Sequence, residues 1–377
     1  MRKYKDVFKR FIDFENLYNG YLLACKGKRY KTEVMDYSQH LEENLINSQN
    51  HLIHHTYKVK EMREFIEYEP KKRVITVMPF ENRVVNCAAY LVLFPIYQRM
   101  FYEHSYGSIP GKGALKAVEK LQQWLQLVSN KPEKWYLCKM DVTKFFFRIP
   151  YEVQMECLSE PLDDPDMIWF LERAIKCDGR AFGIPTDAKD VSHCERVPGI
   201  GMQVGSLISQ LTANVVLNKA DQYIKRVLKV PYYLRYMDDM IFLAPSKEKA
   251  EQILAAMESF LYDNLGLELN KKTFIQPASK PVEFVGRIVS KDKIRIRKAT
   301  SLRMKRNLKR IRKEYAKGNI DSKQAFTVLT SYRGIMKHAS CTSLSKKLHK
   351  DFVLVRDDKA RIKCNNLERH KYDKLRF

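Results

Sequence analysis

Two adjacent carboxylates, Asp238 and Asp239, interrupt an almost unbroken apolar run from Pro231 to Pro245. Burying charge without a partner is strongly unfavourable, so this pair limits what the segment can become. Tyr232-Tyr233-Leu234 and Met240-Ile241-Phe242-Leu243 read as two short buried strands. The pattern predicts a hairpin with Asp238 and Asp239 at its turn, on the edge of a core. Aspartate is also a common residue of ordinary turns. A divalent metal is the partner that best explains two carboxylates in this place.

The chain has 377 residues, 45% of them hydrophobic, enough for a large core and two or three lobes. Lys and Arg total 68 against 44 Asp and Glu, a formal net charge of +24. So basic a balance favours a polyanionic partner, with nucleic acid ahead of a membrane surface. No apolar stretch approaches the roughly 20 residues of a membrane span. The segment Met1–Asp6 lacks the apolar centre of a secretory signal. The eight cysteines form no Cys-x-x-Cys pair, so a zinc module is not expected. His193-Cys194 near Cys177 also matches no common metal spacing. Unpaired cysteines suit a reducing cytoplasm.

Residues 1–60 read as helical, with Leu41, Leu45, Leu52 and Ile53 at near-helical spacing. Residues 64–79 read as two strands about a basic turn, Lys71-Lys72-Arg73. Helices are expected over 84–99 and 114–128, with a Gly/Ser loop over 105–113. Tyr136–Val142 reads as a strand, 163–199 is mixed, and 205–228 is a loop opening into a helix. Another helix is expected over 247–265, and Phe284-Val285-Gly286 with Ile288 reads as a strand. Lys291–Lys317 holds thirteen Lys and Arg against two acidic residues. With the helical stretch that follows, it reads as a separate basic lobe. Leu308, Ile311 and Tyr315 share one face of its helix, among cations suited to tracking a nucleic-acid backbone.

Nucleotidyl transfer uses two metal ions roughly 3.5–4 Å apart, held by carboxylates from separate chain segments. Asp141, at the end of an apolar strand, is the obvious partner for Asp238. Val142 can add a backbone carbonyl ligand.

Met140-Asp141-Val142-Thr143-Lys144-Phe145-Phe146, followed by Tyr236-Met237-Asp238-Asp239 between strands, resembles motif A and the palm hairpin of reverse transcriptases. Val204-Gly205-Ser206-Leu207-Ile208-Ser209-Gln210 resembles motif B, where a glycine lets backbone approach substrate. The wider family usually has Gln-Gly-x-x-x-Ser-Pro; Val204 and Gln210 depart from it as in reverse transcriptases of diversity-generating retroelements. Glu69–Ile75 and Pro79–Val85 resemble the fingers, and Ser105-Tyr106-Gly107 with Gly111-Lys112-Gly113 a further block that is not a P-loop. Leu269–Thr273 and Phe284-Val285-Gly286 resemble the closing palm motifs. Ser331–Gly334 with Lys337-His338 resembles a thumb block.

The resemblance implies an α+β right-hand polymerase with fingers, an antiparallel palm sheet with helices on one face, and a helical thumb. Residues 1–130 would hold the N-terminal helices, fingers and part of the palm; 131–290 the palm; and 291–377 the basic thumb and C-terminal tail. It implies Asp141, Asp238 and Asp239 as catalytic carboxylates, binding two Mg2+ together with Val142. It places Lys72, Arg73, Phe146, Gly205, Gln210 and Lys272 (or Lys271) around the deoxynucleotide. Phe146 would be the steric gate against ribonucleotides, while Val204, Ser209, Tyr236 and Met237 are framework positions of the motifs.

The implied function is synthesis of error-prone, adenine-mutagenised cDNA from a retroelement template RNA. The implied partners are that RNA, the RNA–cDNA hybrid, dNTPs and a basic helical accessory variability determinant protein, in a bacterial, archaeal or phage-encoded cytoplasmic system. Group II intron, retron and abortive-infection polymerases are alternatives within the class. No endonuclease or RNase H segment is read after the thumb, which disfavours a full intron protein, and the retron Val-Thr-Gly triplet is absent. A non-catalytic RNA-binding scaffold is the alternative outside the class.

Overall fold

A computed structural model describes residues 3–67, 73–185, 195–350 and 352–356. They form two compact units that cut across chain order: 1–113 with 136–276, and 114–135 with 277–377.

In the first unit, the N-terminal region folds into helices α1 (Val7–Phe11), α2 (Phe14–Cys25), α3 (Thr32–Gln39) and α4 (Leu41–Ile53). Asp13 caps α2 by accepting from the backbone N–H groups of Glu15 and Asn16. Leu45 and Leu52 are buried as the spacing predicts, whereas Ile53, the last residue of α4, is exposed. Strands β1 (Arg63–Glu67) and β2 (Arg73–Val77) pair as an antiparallel hairpin. Its basic turn lies outside the described residues.

Helix α5 (Phe80–Gln98) is apolar on nearly every side and runs through the core. Gly20 of α2 sits where these two helices meet. A Cβ there would lie 2.7 Å from both the Ala88 backbone nitrogen and its Cβ, and 2.8 Å from the Val84 carbonyl. Gly20→Ala gains about 1 kcal/mol of helix propensity. The overpacking costs about 1–3 kcal/mol. Net destabilisation is therefore expected as a lower urea midpoint, and an unchanged midpoint would show that α2 and α5 can separate freely.

The strand over 136–141 is β3, followed by the short helix α7 (Phe145–Arg148). Helix α8 (Tyr151–Ser159) precedes the mixed stretch over 163–199, which contains α9 (Pro165–Lys176). Asp164 caps α9 by accepting from Met167 N–H, and its other oxygen accepts from Phe8 N–H at 2.8 Å. Helix α10 (Leu207–Gln222) follows Ser206, whose hydroxyl accepts from Ile208 N–H.

Strands β4 (Tyr232–Tyr236) and β5 (Asp239–Ala244) form the expected hairpin. Helix α11 (Lys247–Leu265) spans the predicted residues and packs on β3 and β5. With β6 (Phe274–Pro277) the sheet order is β4-β5-β3-β6, and β5 is antiparallel to both neighbours.

The second unit contains α6 (Ala114–Ser129) and a three-stranded antiparallel sheet. Its strands are β7 (Val282–Phe284), β8 (Arg287–Val289) and β9 (Ile294–Ile296). The single strand expected around Phe284–Ile288 is instead a tight hairpin. Val285 and Gly286 both have positive φ (46° and 73°), as a two-residue turn of type I′ requires.

Helices α12 (Lys298–Ala316), α13 (Ser322–Lys337) and α14 (Thr342–Lys350) follow. Asp321 and Gln324 form a reciprocal capping box at the start of α13. On α12, Met304, Leu308 and Ile311 are buried, while Tyr315 is half-buried with the Arg356 guanidinium 4.2 Å from its ring centre. Arg303, Lys305, Arg306, Lys309, Arg310, Arg312 and Lys313 of the same helix are all exposed. No described helix is long and apolar enough to cross a membrane.

Candidate active site

Three aspartates lie at one end of the sheet of the first unit. In the β3–β5 ladder Asp141 stands directly opposite Asp239, and Tyr236 faces Asp239 across the hairpin. Directly opposed residues of an antiparallel pair have Cβ atoms about 4.5–5.5 Å apart, on the same face. The hairpin loop is therefore Met237 and Asp238. Met237 has φ 53°, and Asp238 is not among the positive-φ residues, the pattern of a type II′ turn. Glycine is the residue such a position favours. The surrounding structure must hold methionine there.

That holding is visible in a buried network. Arg235 of β4 and Asp221 of α10 are both 0% exposed and form a bidentate pair. Arg235 Nη2 donates to Asp221 Oδ2 at 2.7 Å, and Nε to Oδ1 at 2.8 Å. Tyr233 OH donates to the same Asp221 Oδ1 at 2.7 Å. Burial works against the Arg235 charge, but Asp221 outweighs it, with smaller help from Tyr233 and Asp238, so its pKa lies above the usual value. Burial, then Asp221, pushes the Tyr233 phenol well above its ordinary range. The remaining nitrogen, Nη1, donates to Asn214 Oδ1 and to the Met237 carbonyl, each at 3.1 Å.

Asp239 sits in a different electrostatic setting. Lys139, two residues before Asp141 on β3, lies 3.2 Å from Asp239 Oδ1 with its side chain 19% exposed. Asp239 thus carries an ammonium partner within the sheet. Among the described residues, no group of three or more His, Cys, Asp or Glu side chains is arranged to hold a metal ion. The oxygen donors at the strand end nevertheless suit a hard divalent cation better than a soft one.

The Asp141 main chain is anchored on its other side. Asn270 N–H donates to the Asp141 carbonyl at 2.7 Å, and Thr143 N–H to the Glu268 carbonyl at 2.8 Å. These two bonds flank the Val142–Leu269 bridge, so Val142's own carbonyl is not consumed by it. Asn270 also organises the lysine turn after it, accepting from Lys272 N–H at 3.0 Å. Lys271 and Lys272 are exposed there.

Of the three phenylalanines after Asp141, Phe145 is 2% exposed and belongs to the core. Phe146 is half-buried, edge-on to Phe145. Phe147 is covered by the Arg196 guanidinium, 4.8 Å from its ring centre. Gly205 has φ 108°, and a Cβ there would meet nothing within 4 Å. Backbone conformation, not crowding, demands glycine, and the space beside it is open. Val204 and Gln210 are half-buried and Ser209 is buried in α10. Lys72 lies outside the described residues; Arg73 begins β2.

Sequence reading missed Arg235, Asp221, Asn214 and Lys139. A signal existed for Arg235, a cation within a run otherwise fit for burial. It also missed Gln203, which is 3% exposed beside Val204 with no hydrogen-bond partner for its Oε1.

A reverse transcriptase (RNA-dependent DNA polymerase) family model matches residues 60–289. That span holds every element of the strand-end site, and the chain belongs to this family. The α+β architecture and its antiparallel palm-type sheet fit the right-hand polymerase fold of that class.

Among relatives, the putative COX1/OXI3 intron 2 protein of Saccharomyces cerevisiae is 20% identical, over 57% of this chain and 30% of its own length. Protein YkfC of Escherichia coli is 22% identical, over 57% of this chain and 62% of its own. The chain thus spans less than two thirds of either relative. A solved apo telomerase from Candida tropicalis, truncated from its C-terminal domain, aligns with a TM-score of 0.43 and 14% identity, over 68% of this chain and 60% of that one.

Proposed function

We propose that this chain is an RNA-directed DNA polymerase that synthesises cDNA at the Asp141–Asp238 end of the palm sheet. The observation that carries this reading is the register placing Asp141 opposite Asp239 with Asp238 in the adjoining turn. Asp141 and Asp238 would hold two Mg2+ ions, Val142 adding its carbonyl and Asp239 assisting from its contact with Lys139. When bound, the two ions supply activation of the primer 3′-hydroxyl and neutralisation of the triphosphate charge.

The chain's own groups do the rest. Lys72 and Arg73 would meet the triphosphate, and Lys272, on the turn anchored to Asp141, would lie near the leaving pyrophosphate. Gly205 would let backbone approach the nascent pair, with Gln210 one helical turn further along α10. Residues 1–130 would form the N-terminal helices and fingers, 131–290 the palm and 291–377 the thumb. The exposed cations of α12 would contact template–primer phosphates without reading sequence.

Phe146 would exclude the ribose 2′-hydroxyl, a role its half-buried ring supports. Phe146→Ala is expected to raise ribonucleotide over deoxynucleotide incorporation by about tenfold or more. Steady-state kcat/KM for each nucleotide measures this, and an unchanged ratio would remove the gate assignment.

Within the family we assign the chain to the diversity-generating retroelement type, making adenine-mutagenised cDNA with an accessory variability determinant protein. The Val204 and Gln210 variant of motif B supports this. Val204→Gln is expected to lower misincorporation opposite adenine, read by sequencing cDNA from a primed RNA template. It is a cleaner probe than Gln210→Pro, because Gln210 N–H donates to the Ser206 carbonyl at 3.2 Å and proline would delete that bond. An identical error spectrum in Val204→Gln would count against Val204 as the cause. Faithful copying by the unaltered chain would favour the second reading, an intron-type reverse transcriptase. That reading draws support from the names of two relatives, the COX1/OXI3 intron 2 protein and an uncharacterised 91 kDa protein in the cob intron of Schizosaccharomyces pombe.

A further inference from the structure

We infer, on the reading that Asp238 holds metal, that Arg235 is a positioning residue that fixes the Met237–Asp238 turn, acting with Asp221 and Asn214. The turn is held at two points. Arg235 Nη1 donates to the Met237 carbonyl and to Asn214 Oδ1. Gly107 packs closely against the Met237 nitrogen and side chain. A Cβ on Gly107 would stand 2.5 Å from Met237 N and 2.6 Å from its Cγ and Sδ. Asn214 closes the ring, its Nδ2 donating to the Gly107 carbonyl at 2.9 Å. The main chain of Arg235 is tied to the same loop, accepting from Tyr106 N–H at 2.8 Å and donating to the His104 carbonyl at 3.0 Å.

Stability alone does not explain this arrangement. A fully buried ion pair can often be replaced by apolar side chains of similar volume at no loss. A non-glycine residue held at positive φ persists only where its surroundings over-determine it. Here the pair aims a fixed guanidinium fork at the carbonyl immediately before Asp238. Asp221 holds the fork in orientation through its bidentate contact, and α10 carries both Asp221 and Asn214 on one element.

The test measures extension of a primed RNA template by the full chain while dNTP and Mg2+ are varied separately. The Arg235→Met/Asp221→Leu double variant leaves no buried charge behind and is expected to retain the fold. We expect its template–primer affinity and dNTP KM to match the parent. We expect kcat to fall about tenfold or more, as a misplacement near 1 Å can cost a hundredfold. The Mg2+ concentration for half-maximal rate should rise about tenfold, as for lost groups that orient a ligand.

Gly107→Ala disturbs the turn by a second contact with no buried charge removed, and should give the same two shifts. It carries the test if the double variant does not fold. Parental kcat and Mg2+ dependence in either folded variant would overturn the role of Arg235. So would a kcat loss matched by the fraction of active enzyme with Mg2+ dependence unchanged, which is a folding effect. Asp238→Asn is run alongside. If it remains active, the metal assignment itself fails; if it is inactive while the double variant behaves as the parent, only the positioning role fails.

Discussion

Asp238→Asn is expected to reduce cDNA synthesis by about a thousandfold or more while leaving template–primer binding intact. The substitution keeps shape and hydrogen-bonding capacity at the turn and removes one charge. Asp238 occupies the second position of the two-residue turn that closes the β4–β5 hairpin, outside the strand ladder. Phosphate contacts would depend on cations elsewhere, of which α12 alone exposes eight. Single-turnover extension and fluorescence anisotropy on a labelled template–primer separate the two effects. Loss of both together would mean that Asp238 supports the fold. The matching change at Asp239 should be milder, because Lys139 already lies 3.2 Å from its carboxylate.

Arg235→Ala is expected to destabilise the protein by about 3–5 kcal/mol, the cost of leaving a buried partner charge uncompensated. Asp221 would remain fully buried, with Tyr233 OH still donating to it and its Arg235 partner gone. The truncation also strips hydrogen bonds from Asn214 Oδ1 and the Met237 carbonyl. Urea unfolding measures the difference. The double change Arg235→Met/Asp221→Leu should recover most of the loss, because neither charge is then stranded. A loss under 1 kcal/mol for Arg235→Ala would mean that water or another cation reaches Asp221.

Local chemistry made much of the palm legible. An apolar strand ending in Asp141 and an apolar hairpin carrying Asp238 and Asp239 are short-range patterns, and the ladder brings them together. Helix α11 reads clearly because Ser246 caps one end and Gly266, at φ 62°, closes the other. The Asp164-Pro165 start of α9 carries the same kind of signal inside a stretch whose pattern is otherwise mixed. Val285-Gly286 reads as strand from its apolar neighbours, although glycine there marks the turn that splits β7 from β8.

The supports of the site were not legible in the same way. Arg235 and Asp221 lie on different elements, and their pairing depends on how α10 packs beneath the hairpin. Lys139 likewise gains its meaning only from the strand register that sets β5 beside it. Spacing along the chain reveals periodic faces and turns; it does not reveal which charge a buried charge will meet.

The most direct measurement is extension of a primed RNA template by the purified full chain with dNTPs and Mg2+, alone and with an accessory protein and its cognate RNA. The structure and family membership together predict metal-dependent cDNA that disappears in Asp238→Asn. Absence of product under every one of these conditions, with the RNA still bound, would contradict a polymerase and leave an RNA-binding scaffold.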